Sequence, residues 1–394
     1  MADDQVMMET QSGGPGDFVR FDLTRVPSPC FVIDEAAIEN NLIVLKDIAD
    51  QSGAKILSAL KAFSLPAVAP LIRQYLSGTC SSGLFEARLA RQHYGGELAT
   101  YCAGYKLEDM SEIIDLSDHL IFNSPAQLER FLPVVKESGK DIHIGLRINP
   151  EHSEGLVAKY DPCAPFSRLG TPVSKLNDQI MQHVDGLHFH TLCEQEFAPL
   201  ERTWEAVKPK IERYLPKLKW LNFGGGHHIT RSDYDREGLI KFIKKIRAET
   251  GLEIYLEPGE AVALDAGILV GEILDLPENE MKLAITDLSA TCHMPDVIEA
   301  PYRPQMLGEV DQGEPYRLGG PSCLAGDVIG DYCFENEPNI GDRIAFLDQA
   351  HYSFVKTNTF NGVPLPAIAL WNSKTDALKM VREFSYNDFL MRIS

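Results

Sequence analysis

Lys61 lies in ILSALKAF, where an apolar run delivers an ammonium group to its end. Desolvation lowers the pKa of a lysine so placed and favours the free amine, the form that makes a Schiff base with a carbonyl. A lysine snorkelling from a strand end into water has the same sequence signature. Gly224, Gly225 and Gly226 form a run without side chains. Its backbone N–H groups can close around a phosphate, or the chain can simply turn tightly there. Amine and phosphate loop together point to pyridoxal 5′-phosphate. Glu257, in LEPGEAV, then acquires a meaning, because a carboxylate at the ring nitrogen keeps the pyridine protonated and so an electron sink. His190, in GLHFHTLCE, is either a plate lying flat on that ring or a satisfied core histidine. Its neighbour His188 is expected to point the other way.

The elements that must position these residues follow a rhythm of short apolar strand, polar turn and amphipathic helix. The pattern predicts eight strands: 55–60, 78–81, 97–101, 119–122, 142–148, 185–190, 218–223 and 252–256. Helices are expected between them, among others over 126–137, 200–215 and 233–250. Strand–helix–strand units force a parallel sheet, and eight of them fit a (β/α)₈ TIM barrel. Lys61, Ser81–Gly83, Arg147, His190, Gly224–Gly226 and Glu257–Glu260 all fall at or just after strand ends, which such a barrel gathers on one face. After Pro258 the rhythm changes to strand-like runs (LAITDLS, RLGGPSC, DRIAFLD, AIALWN) between Gly, Pro and Asn turns, the pattern of an antiparallel β domain. The expected layout is a disordered tail over 1–17 and an N-terminal strand segment, 18–34, that joins the β domain. The barrel then spans 35–260 and the C-terminal β domain 261–394.

Composition narrows the function classes. The chain has 394 residues, 44% hydrophobic and 24% charged, enough for two globular domains. With 37 Lys+Arg against 57 Asp+Glu the formal charge is −20. That charge argues against nucleic acid or an anionic membrane as partner and favours a small cationic ligand. The eight cysteines include no C-x-x-C pair and are too sparse for a disulfide scaffold, so no metal site and reduced thiols are expected. The N-terminus lacks the basic start and apolar core of a secretory signal, and no charge-free apolar stretch of membrane-spanning length occurs, so a cytoplasmic protein is expected.

The ordered motifs LKAFS, CSSGLFE, IFNS, GLRINP, FSRLG, FHTLCE, FGGGHHIT, LEPGEAV, SATCHMPD, PSCLAGD and FNGVPLPA cover roughly residues 28–390. In these the chain resembles the fold-type III pyridoxal-phosphate decarboxylases, which join an alanine racemase-like barrel to a β domain. It is most similar to the branch acting on carboxylated polyamines. The resemblance implies decarboxylation of carboxynorspermidine or carboxyspermidine to norspermidine or spermidine; the alternatives are a decarboxylase of another basic amino acid (diaminopimelate, ornithine or arginine) or a non-catalytic relative that only binds pyridoxal phosphate. It implies that Lys61 binds the cofactor covalently, His190 stacks on its ring and Glu257 pairs with the ring nitrogen. Gly224–Gly226 and Tyr352 would hold the phosphate, and Arg147 would support the polar network beside the ring. It further implies that Cys323 reprotonates the carbanion in the site of a second subunit, so that a homodimer shares its active sites. Read alone, Cys323 is a buried structural thiol. Relatives acting on ornithine and diaminopimelate carry arginine after EPG and aspartate after the interface cysteine; here Glu260 and Leu324 stand there. Glu260 and Asp296 thereby become the candidates for binding the ammonium groups of a polyamine. Read alone, Asp296 is an exposed acidic loop residue.

Overall fold

Short apolar runs closed by polar turns become strands, and the amphipathic stretches between them become helices. In the computed structural model, which describes residues 13–155, 160–299 and 301–394, the first strand is β1 (Cys30–Asp34), buried throughout. The Asp34 carboxylate accepts from the Ala36 N–H at 3.0 Å and so caps the helix Glu35–Ser52. Then come β2 (Lys55–Ala59), β3 (Gly78–Ser81), β4 (Glu97–Tyr101), β5 (His119–Phe122) and β6 (His143–Asn149). The two-residue β7 (Thr171–Pro172) pairs only with β6, and β8 (Gly186–His188), β9 (Trp220–Asn222) and β10 (Glu253–Leu256) follow.

Without β1 and β7, these strands pair in parallel in the order β5-β4-β3-β2-β10-β9-β8-β6, and β6 pairs back with β5 to close the expected barrel. Leu57, Ala99, Ile121, Trp220 and Tyr255 form one buried cluster of its filling. Trp220 fits because β6 and β8 leave room opposite it. A Cβ on Gly145 or Gly186 would approach the indole to 2.6 or 2.0 Å. The barrel lies in the compact unit Glu39–Val262.

The second compact unit is Ala263–Ser394 together with the N-terminal segment up to Ile38. It contains β11 (Gly267–Asp275), β12 (Lys282–Thr286), β13 (Tyr316–Gly319), β14 (Val328–Tyr332), β15 (Arg343–Phe346), β16 (Ala367–Asn372) and β17 (Ala377–Arg382). They form one sheet with β1, in the order β14-β13-β12-β11-β1-β16-β17, with β15 also on β11. The sheet is mostly antiparallel; β1–β16 and β12–β13 are parallel. Parallel partners need a long crossover. The whole barrel lies in sequence between β1 and β16, and the turns Ala290–His293 and Asp296–Glu299 lie between β12 and β13.

Of the stretch expected as a tail, residues 1–12 lie outside the described residues. The Gly13 N–H donates to the Asp265 carboxylate at 2.9 Å, and a 3₁₀ turn begins at Gly16, inside the expected tail. Its anchor is Phe18, whose ring lies 5.4 Å from that of Trp371 in the sheet core; one aromatic in a polar segment gives no periodic signal. Among the described residues no helix is long and apolar enough to cross a membrane, and no group of three or more His, Cys, Asp or Glu could hold a metal ion.

Candidate active site

The turn that follows β2 carries Lys61, whose Nζ lies 3.1 Å from Nε2 of His190, just beyond β8. Solvent reaches the Lys61 side chain, yet protein crowds the amine, and this desolvation, with the nearby Arg147 cation, lowers its pKa. Burial, with Lys61 and Arg147 close by, likewise holds His190 well below the ordinary histidine value. His190 Nδ1 faces the Gly225 carbonyl at 3.0 Å. The Gly225 N–H donates to the same Nδ1 at 3.1 Å, so the backbone of Gly225 holds the ring.

Arg147 sits buried on β6, in register with His188 on β8. Its guanidinium lies 4.7 Å from the Tyr101 ring centroid and donates to the His190 carbonyl at 3.2 Å. His188, expected to point away from His190, shares its side of the chain. Its Nε2 lies 3.3 Å from Glu257 Oε2. The reason is strand geometry: residues two apart face the same way. It is Phe189 between them that turns away, to pack 5.2 Å from the Phe223 ring.

Glu257 follows β10 and is the acceptor at the centre of the group. Burial alone would raise its carboxyl pKa, but His188 and the Asn222 amide, which donates to Oε1 at 2.7 Å, bring it down to about 2. Burial keeps His188 below its usual value. The pair is therefore an ionised carboxylate beside a neutral imidazole.

The glycine run passes between these residues. Asn222 Oδ1 accepts from the Gly224 N–H at 2.9 Å, and the Gly224 carbonyl accepts from the Glu257 N–H at 2.7 Å. A Cβ on Gly225 would meet the Glu257 carbonyl at 2.1 Å, and one on Gly226 (φ 86°) the Leu192 carbonyl at 1.9 Å. Only glycine lets three loops approach so closely. The Gly226 N–H makes no hydrogen bond among the described residues. Glu260 closes the group, with Oε2 3.4 Å from Nε2 of the buried His228, two residues past the run.

Lys61, Arg147, His190, Gly224–Gly226 and Glu257 are thus linked by direct contacts. Cys323, Tyr352 and Asp296 belong to the other compact unit. Cys323 is exposed rather than buried, because it stands in the loop between β13 and β14; its N–H donates to Asn361 Oδ1 at 2.7 Å. Tyr352 begins the helical turn Ser353–Lys356, with the Lys356 ammonium 5.8 Å from its ring centroid. Asp296 is only partly exposed and accepts from Lys356 Nζ at 2.5 Å, with Glu299 3.4 Å from the same nitrogen.

Sequence reasoning passed over Asn222, Cys80 and Glu86. Asn222 is a lone amide ending an apolar strand at the glycine run, a signal that was there to be read. Burial and nearby Glu257 push the Cys80 thiol well up. Burial also raises Glu86, whose Oε2 accepts from the Ser82 N–H at 2.6 Å. Both stand in CSSGLFE, at the end of β3 and just beyond it.

A family profile described as "Pyridoxal-dependent decarboxylase, C-terminal sheet domain" matches residues 30–350. The chain is 39% identical over 382 residues to the carboxynorspermidine/carboxyspermidine decarboxylase of Campylobacter jejuni, covering 93% of this chain and 99% of that one. It is also 39% identical over 376 residues to the carboxyaminopropylagmatine decarboxylase of Synechocystis sp., covering 94% and 96%. The crystal structure of carboxynorspermidine decarboxylase complexed with norspermidine from Campylobacter jejuni matches with a TM-score of 0.86 at 38% identity, covering 93% of this chain and 100% of that one.

Proposed function

The chain belongs to the pyridoxal-dependent decarboxylase family, and we propose that it removes the carboxylate of carboxynorspermidine or carboxyspermidine to release norspermidine or spermidine. Bound pyridoxal 5′-phosphate supplies the electron sink that accepts the pair left when the bond from Cα to the carboxylate breaks. The residues present fit that group. They offer an amine of lowered pKa for its aldehyde, a largely buried ionised carboxylate for its ring nitrogen, and a glycine run that no side chain could enter. Glu257 carries the reading. A pyridine nitrogen stays protonated only beside an anion, and Glu257 is kept anionic by Asn222 and His188.

Lys61 would hold the cofactor by its aldehyde carbon and yield that position to the substrate amine. His190, neutral and held at Nδ1 by Gly225, would contact the ring without adding a charge that competes with the nitrogen proton. Gly224–Gly226 and Tyr352 would take the phosphate, and Arg147 would brace His190 through its carbonyl. The Cys323 thiol, contributed by a second subunit, would give its proton to Cα and recover one from solvent. Glu260 and Asp296 would bind ammonium groups of the polyamine, each contact contributing about 1.5–3 kcal/mol. Both already face a cation or imidazole, so a substrate ammonium would share or displace that partner. The formal charge of −20 favours such a ligand.

The equal identity to the Synechocystis relative supports carboxyaminopropylagmatine as a second reading; that molecule ends in a guanidinium instead of an amine. Carbon dioxide release by the purified enzyme across carboxynorspermidine, carboxyspermidine, carboxyaminopropylagmatine, diaminopimelate, ornithine and arginine decides. Highest kcat/KM on either of the first two is expected. A clear preference for any of the others would replace the reading.

A further inference from the structure

Three motifs of the sheet unit, SATCHMPD, PSCLAGD and FNGVPLPA, are cross-linked by side-chain hydrogen bonds. Asp327, 4% exposed, accepts from the Ser289 hydroxyl at 2.9 Å and from the N–H groups of Thr291 at 3.1 Å and Ser322 at 3.3 Å. It therefore ties the start of the turn Ala290–His293 to the loop that carries Cys323. The same turn is tied to the third motif and to Asn358 just before it. The Asn358 N–H donates to the Cys292 carbonyl at 2.9 Å and its amide to the Thr291 carbonyl at 2.8 Å. His293 Nε2 lies 3.0 Å from the Pro364 carbonyl. The triangle closes at Asn361, whose side-chain oxygen accepts from the backbone N–H of Cys323 itself at 2.7 Å.

Asn361 holds this bond from a left-handed backbone (φ 57°, ψ 12°). Asparagine is among the few side-chain-bearing residues that adopt this conformation readily, and glycine is the other common choice. An exposed residue that combines this conformation with an acceptor aimed at one N–H serves that N–H. Asp327 alone cannot hold the thiol-bearing residue, since it bonds the preceding Ser322. Leu324 N–H turns back onto the Ser322 hydroxyl at 3.3 Å, so the loop is pinned before and after Cys323, and among the described residues it is Asn361 that holds the Cys323 N–H.

We propose that Asn361 is a positioning residue for Cys323, with Asp327 as the anchor of the loop that both residues hold. The inference rests on the reading of Cys323 as the proton donor to Cα. An acceptor on the Cys323 N–H fixes where the backbone stands and hence the arc through which the thiol can swing. Losing it leaves the thiol in place chemically but spread over more positions.

Asn361→Gly keeps the left-handed backbone and removes the acceptor; Asn361→Asp keeps both. In the holoenzyme, alkylation of Cys323 by iodoacetamide, followed by peptide mass spectrometry, reports the thiol independently of turnover. Asn361→Gly should shift that rate about fivefold, the factor carried by one ordinary hydrogen bond. It should lower kcat by a similar factor with KM and the cofactor absorbance nearly unchanged, and Asn361→Asp should restore both. Alkylation and kcat at the wild-type values in Asn361→Gly, or an Asn361→Asp variant no better than Asn361→Gly, would overturn the proposal. Undiminished turnover in Cys323→Ala would remove the donor reading alone, and the alkylation rate would still decide for or against Asn361.

Discussion

Lys61 and Glu257 are desolvated in one neighbourhood yet take opposite protonation habits, and their partners explain why. Lys61 is desolvated and has a cation, Arg147, beside it; together these outweigh the pull of Cys80, Glu257 and Cys193, and the amine is favoured. Glu257 has an amide donor and an imidazole, which outweigh the same desolvation. Glu257→Gln preserves size and leaves a carbonyl for the Asn222 amide, but removes the charge. We expect the variant to fold and bind cofactor while kcat falls at least about tenfold, the loss of one charge-assisted contact of about 1.5–3 kcal/mol. Wild-type kcat would show that the ring nitrogen does not depend on this carboxylate. Glu260 is tested by the same change. Glu260→Gln should raise KM for the polyamine several-fold at constant kcat. A variant whose melting temperature alone falls would restrict Glu260 to holding His228.

The element that matters most for the site is the loop after β9, because β8, β9 and β10 can converge only if that loop has no side chains. Asn222 serves both sides of it, donating to Glu257 and accepting from Gly224. Gly226→Ala would force a Cβ to within 1.9 Å of the Leu192 carbonyl at a φ of 86°. Relief requires the loop to move, at a cost of about 1–3 kcal/mol. Titration of the apo-protein with pyridoxal phosphate should show affinity weakened about tenfold or more. An unaltered affinity would mean that the run is a turn and nothing else.

At the scale of the molecule, buried neutral histidines set a pH dependence. Burial holds His227 down to about 3 and His293 to about 4, and lowers His188 and His190 as well. In the unfolded chain these rings take a proton near 6.5. Below that pH the unfolded state binds more protons than the folded one, so stability declines as pH falls from about 7 towards 4. Each ring contributes up to about 1.4 kcal/mol per pH unit. The depressed carboxyl of Glu257 retains its stabilising effect down to about pH 4.5 and loses it only below that, as pH falls towards about 2. A melting temperature that stays flat between pH 7 and 5 would show that the rings are charged in the fold. The proposed sharing of sites between subunits has its own test. Lys61→Ala and Cys323→Ala, each inactive alone, should regain up to about a quarter of wild-type activity when mixed and allowed to exchange subunits. No recovery after exchange would place both residues in one subunit's site.

The alternation of apolar strands and amphipathic helices was enough to determine a closed parallel barrel followed by a mostly antiparallel sheet, since burial patterns are local and repeat along the chain. Strand ends were legible too, and with them the neighbourhood of Lys61, Arg147, His190, Gly224–Gly226 and Glu257. Even the side that His188 faces was available from the two-residue period of a strand. Other pairings were not legible: Asn222 with Glu257, Glu260 with His228, Asp296 with Lys356, Cys323 with Asn361. Each joins residues far apart in the sequence, and no local pattern encodes it. Barrel closure and sheet register bring them together, and the conformation of each turn then decides which polar atoms come within hydrogen-bonding distance.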